Sequence, residues 1–221
     1  MSTISVAEFE VILASYHSNG LQNVKLGLGL HPHFLATHNS VNAVLFTAAA
    51  KNCDFIGEVG LDFLRRGADR NLQIEAFYHV LTVASELGRT VSIHCLRAWD
   101  ALFDALAAFK NECFKLHFHA FSGSREIAER LLSHYQADVY FSINADQLEP
   151  QRLRTLSAVA AIPSKNLLVE TDATSEKFTS FDQYEQYLKL GYERLSSIKG
   201  MSFDEFTQQL RYNFNRCFDS V

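Results

Sequence analysis

Six short apolar runs punctuate the chain, and each stops on a polar residue. They are Leu28-Gly29-Leu30-His31, Phe55-Ile56-Gly57-Glu58, Val91-Ser92-Ile93-His94, Leu116-His117-Phe118-His119, Tyr140-Phe141-Ser142-Ile143-Asn144 and Leu168-Val169-Glu170-Thr171-Asp172. Short continuous apolar runs bounded by turns read as strands buried on both faces of a parallel sheet. Between and beyond them the apolar period lengthens to that of a helix, predicting helices over 6–17, 40–51, 70–88, 97–110, 124–135, 149–160, 181–198 and 203–218. Ser5, Ser124 and Ser202 stand where helix N-caps belong. Gly20, Gly88 and Gly200 stand just past helix ends, where a left-handed residue is wanted.

Strand alternating with helix implies a parallel sheet joined by crossover helices. The expected fold is α/β, a TIM-type (β/α) barrel in a single domain over residues 1–221. About six of the eight strands are present and the N-terminal part is incomplete, apart from a stub at Thr3-Ile4. A closed barrel has no sheet edges, whereas a six-strand remnant exposes two. A second copy or a partner chain covering the open edge is therefore expected.

In a barrel of parallel strands the C-terminal strand ends gather on one face, and chemistry is done there. That places Glu58, His94, His119 and Asp172, from four strands, at a common mouth. Two carboxylates and two imidazoles are the donor set of a divalent-metal hydrolase site. Asp172 is placed to take a proton from a bound water, and Glu58 to bridge cations. His117 shares a face with His119 but lies deeper, and is read as structural. Asp62 is read as capping the turn after its strand. His31, Arg65, Arg66, Arg97, Ser122 and Arg125 fall after strand ends and are weaker candidates for substrate contact; a solvated surface charge or a plain helix cap explains them equally well.

The bulk numbers narrow the classes. The net charge of −5 argues against binding nucleic acid through a broad basic face, while leaving room for local phosphate contacts. No apolar run approaches the roughly 20 residues that span a bilayer, so no membrane is expected. Cys53, Cys95, Cys113 and Cys217 show no paired spacing, and a reducing, cytoplasmic setting is expected. Cys95 neighbours His94 but points to the opposite face of its strand.

Five ordered motifs resemble the TatD family: Gly29-Leu30-His31-Pro32, Gly57-Glu58-Val59-Gly60-Leu61-Asp62, Ile93-His94-Cys95, His119-Ala120-Phe121-Ser122-Gly123 and Glu170-Thr171-Asp172. The closing Asn213-Phe214-Asn215-Arg216-Cys217-Phe218 is similar to that family's last helix. The resemblance implies a metal-dependent deoxyribonuclease on an amidohydrolase-like barrel, with one or two Mg, Mn or Zn ions. It implies that Glu58 bridges two cations, that His94 and His119 hold one, and that Asp172 helps hold the other. Three departures stand out. The family's opening Asp-x-His-x-His strand has no counterpart after Met1, which falls near the end of the family's second strand. Leu96 stands where the family has Arg, with Arg97 next to it, and Thr174 stands where it has Pro. The leading expectation is a phosphodiester hydrolase acting on DNA. The rivals are a non-catalytic or single-metal binding module, a hydrolase of small amides or esters, and a chain whose true start lies upstream.

Overall fold

The computed structural model describes residues 1–18, 24–35, 40–64, 69–110, 112, 114–135, 139–173 and 177–219, without the side chains of 17, 18 and 40–42. Arg65, Arg66, Gly20, Cys113 and Thr174 lie outside those residues. Six strands run β1 (Gly27–Leu30), β2 (Phe55–Asp62), β3 (Val91–Leu96), β4 (Leu116–Phe118), β5 (Val139–Ile143) and β6 (Leu167–Val169). They are hydrogen-bonded in chain order in one sheet. The pairs β1–β2, β2–β3 and β5–β6 are parallel.

The helices are α1 (Val6–Ser18), α2 (Ser40–Ala49), α3 (Arg70–Leu87), α4 (Trp99–Ala107), α5 (Arg125–Tyr135), α6 (Leu153–Ala161), α7 (Phe181–Lys199) and α8 (Phe203–Phe218). The expected caps are in place. The Ser5, Ser124 and Ser202 hydroxyls accept from the backbone N–H groups of Glu8, Ile127 and Glu205. Gly88 and Gly200 end α3 and α7 at φ 60° and 62°, which glycine reaches without steric cost.

Two helices begin later than the periodicity suggests. α6 starts at Leu153 because the Asn144 side chain caps a separate turn over Ala145–Leu148, with Gln147 bonding back. Pro150 then holds Glu149 extended at ψ 146°. α4 starts at Trp99 because Arg97 sits in a left-handed conformation, φ 55°.

The chain forms two compact units, Met1–His117 with Phe218–Val221, and Phe118–Cys217. In the first, β2 lies between β1 and β3, and Leu28, Ile56, Val59, Leu61, Ile93, Phe77 and Leu81 are buried. The Thr3 stub is real: Ser2 bridges Gly27, and the Thr3 hydroxyl accepts from Gly29 N–H. The approach is so close that a Cβ on Gly29 would stand 1.6 Å from the Thr3 carbonyl oxygen. The outer edge of β1 is thus partly occupied by the chain's own first residues.

In the second unit, β5 and β6 pair from Phe141↔Leu167 to Ile143↔Val169. Phe118, Phe121 and Phe141 are buried with centroids 4.7–6.2 Å apart. The Asn213 amide donates to the carbonyls of Ser164 and Leu167, tying α8 to the start of β6.

Candidate metal centre

Each unit carries its own group of carboxylates and imidazoles. In the first, β2 delivers Glu58 and Asp62, β3 delivers His94, and His31 follows β1. The strand register sets Gly60 beside His94. Gly60 sits at φ 134°, where a Cβ would meet the His94 carbonyl oxygen at 2.1 Å. The glycine is there so that β2 and β3 can close up around the His94 backbone.

Glu58 Oε1 lies 2.9 Å from His94 Nδ1 and 3.4 Å from His31 Nε2. Ligand atoms of His31, Glu58 and His94 all fall within 4.8 Å of one another. His31 Nδ1 accepts from the His33 backbone N–H at 3.2 Å, so the proton of a neutral ring resides on Nε2 and points to Glu58. His31 in this tautomer orients the carboxylate and does not offer it a lone pair.

His94 is different. With Nδ1–H donated to Glu58, Nε2 presents a lone pair. That nitrogen is buried with no hydrogen-bond partner among the described residues, and it faces Asp62 Oδ2 at 3.4 Å. The Asp62 side chain is 2% exposed. The close grouping of ligand atoms from His31, Glu58 and His94 is what fits a divalent ion in this unit. Asp62 also accepts from Leu64 N–H at 2.9 Å, so its expected turn role is present as well.

In the second unit, His119 follows β4, and Glu170 and Asp172 follow β6. His119 Nδ1 lies 2.9 Å from Glu170 Oε2, and its Nε2 lies 3.5 Å from Asp172 Oδ1. The Ser142 hydroxyl donates to the same Glu170 oxygen. A carboxylate holding one ring nitrogen and leaving the other for a cation is the arrangement that fixes a metal-binding histidine. Asp172 has a side chain 53% exposed, whereas that of Glu170 is 14% exposed. One acid is open to water and the other is committed to the ring.

Arg97, Ala120 and Asp172, each shortly after a strand end, have φ of 55°, 40° and 49°. Left-handed conformations cost a non-glycine residue roughly 1–2 kcal/mol and gather at functional sites.

The other sequence candidates divide. His117 is buried, with Nδ1 2.9 Å from the Ser92 hydroxyl and its ring 5.2 Å from Phe218, a packing role as expected. Cys95 is buried, and burial pushes its thiol up to about 12. Arg97 is exposed and Ser122 half-buried. Arg125 is exposed and paired with Glu129 on its own helix at 2.7 Å. Sequence reasoning passed over Glu170 as an orienting acid, although its place two residues before Asp172 on one strand was the available signal. It also set His31 apart from the ligand cluster.

A cavity of about 290 Å³ lies elsewhere, lined by Leu168, Val169, Tyr192, Thr207, Leu210, Arg211 and Phe214. Its walls are mostly apolar and it contains none of the carboxylate–imidazole residues.

A six-stranded parallel α/β sheet with acids and imidazoles within or just after its strands defines the class, a (β/α) barrel-like fold. The TatD related DNase family model matches residues 1–219, and the chain belongs to that family. The 3'-5' ssDNA/RNA exonuclease TatD of Escherichia coli K12 is 30% identical over 148 residues, 66% of this chain and 56% of that protein. The uncharacterized metal-dependent hydrolase YabD of Bacillus subtilis is 26% identical over 166 residues, 74% of this chain and 64% of that one. The chain therefore spans less than two thirds of the length of these curated relatives. Among solved structures, the TatD homologue YjjV of E. coli superposes with a TM-score of 0.84 at 24% identity, over all of this chain and 86% of that one. A TatD family hydrolase from Entamoeba histolytica gives 0.77 at 19% identity, covering 99% and 83%. These likenesses establish the TIM-barrel-like fold.

Proposed function

We propose that this protein is a divalent-cation-dependent hydrolase that cleaves phosphodiester bonds in DNA. Glu58, His94, His119 and Asp172 are its metal ligands, and Asp172 and Glu58 its catalytic carboxylates. The observation that carries this reading is the close grouping of His31, Glu58 and His94, whose ligand atoms all lie within 4.8 Å of one another. Membership of a DNase-related family supports the substrate class, and the name of the E. coli relative extends it to single-stranded nucleic acid. Free, buried cysteines support a cytoplasmic setting.

A bound divalent cation would supply Lewis acidity at a phosphate oxygen and a water that loses its proton near neutral pH. His31 holds Glu58 through its Nε2–H, and Glu170 holds His119 with Nε2 toward Asp172. The exposed carboxylate of Asp172 accepts the proton of the attacking water. Ser142 locks Glu170 in turn, so the His119 ring does not have to reorganise during reaction.

The test is hydrolysis of single- and double-stranded DNA by purified protein with Mg²⁺, Mn²⁺ or Zn²⁺, with Glu58→Ala as control. Metal-dependent cleavage lost in the variant is expected. Equal activity in Glu58→Ala would remove the ligand assignment. Turnover of a small ester or amide that needs Glu58, with none on DNA, would replace the substrate class.

A further inference from the structure

Phe34 is 56% exposed, three residues from His31 in the imidazole–carboxylate cluster. Its neighbours Pro32 and Leu35 are buried and carry the packing of this turn. Yet its backbone is well fixed. It closes a tight turn over Pro32–Phe34, its N–H donates to the His31 carbonyl at 3.0 Å, and the His31 ring caps the same turn through His33 N–H. The Phe34 centroid is 5.6 Å from that of His31, and His31 is 4.8 Å from His94. Three rings thus run from exposed Phe34 through His31 to the half-buried candidate ligand His94.

A fixed, exposed aromatic face beside a phosphodiester site is what a nucleobase stacks on. We infer that Phe34 is a base-stacking platform for single-stranded nucleic acid, holding the base of a nucleotide adjacent to the bond that is cut. This rests on the hydrolase reading above and assigns its substrate form. A duplex keeps its bases stacked on one another, so Phe34 favours a single strand. Because every base has a π face, the preference is for a base over no base, not for one sequence. With net charge −5, stacking also supplies affinity that a broad basic surface does not.

The experiment measures binding in the presence of Ca²⁺ by fluorescence anisotropy. It compares a labelled single-stranded oligothymidylate with an abasic oligonucleotide of equal length and charge. Wild type is expected to prefer the base-bearing strand. Phe34→Ala should weaken that strand about tenfold, leave the abasic strand within about twofold, and so erase the preference. Phe34→Trp should restore it, with its added indole fluorescence quenched by the oligothymidylate. Being exposed, Phe34 should tolerate both changes, and an unaltered thermal midpoint checks the fold. Equal wild-type affinity for the two strands overturns the platform while leaving the hydrolase reading standing, as does a Phe34→Ala loss shared by both. Failure of wild type to bind either strand overturns both readings.

Discussion

The two carboxylate–imidazole groups share a donor set but are wired differently. In the first unit Glu58 faces two rings, one delivering a proton to it from His31 and the other, His94, leaving a buried nitrogen opposite Asp62. In the second unit one ring faces two acids, with Glu170 clamped by Ser142 and Asp172 open to water. The first group offers three ligand atoms within 4.8 Å of one another, and the second holds its ring already oriented. A cation should therefore matter more to the stability of the first, and removing the orienting acid more to the second.

The largest effect should come from Glu58, an acid that both rings of the first group reach. Glu58→Ala is expected to lower metal-dependent hydrolysis by more than about a hundredfold, read as kcat/KM, because it removes a ligand and not merely an orienting partner. Glu170→Gln keeps an acceptor for His119 but gives up its charge. A loss of about ten- to a hundredfold in metal affinity is expected by calorimetric titration, with Ser142→Ala smaller in the same direction. Glu170→Gln matching wild type would mean the two groups are not distinguished in this way.

The contrast also extends to packing. Phe141 is fully buried between Phe118 and Phe121. Phe141→Ala should cost about 3–5 kcal/mol in chemical denaturation, with an early transition if the second unit unfolds on its own. The smallest effect concerns the thiols. Burial lifts Cys53 and Cys95 from 9.0 to about 11 and about 12. Iodoacetamide at pH 8 should leave both unmodified in the native protein and label both in denaturant. Since the unfolded thiols ionise first, stability should fall as pH rises through about 9 to 11.

Much of the frame was legible from residue order alone. The apolar runs marked the six strands, although β2 continues past Glu58 to Asp62 and β3 past His94 to Leu96, and serine and glycine marked the helix ends, because these are local rules of backbone hydrogen bonding. What escaped was set by specific side-chain contacts, some local and some distant in sequence. The late start of α6 depended on Asn144, Gln147 and Pro150 acting together. The tautomer of His31 depended on the His33 amide, which no periodicity encodes. Glu170 looked like a second acid on a strand, and only its approach to a ring 51 residues away makes it an orienting group. Arg65 and Arg66 lie outside the described residues.

Anomalous diffraction from crystals soaked in Mn²⁺ tests the central claim most directly. The account predicts a peak within coordination distance of a Glu58 oxygen and a His94 nitrogen, lost in Glu58→Ala crystals. Wild-type crystals without that peak, with His94 Nε2 bonded to Asp62 through a ring proton instead, would contradict it.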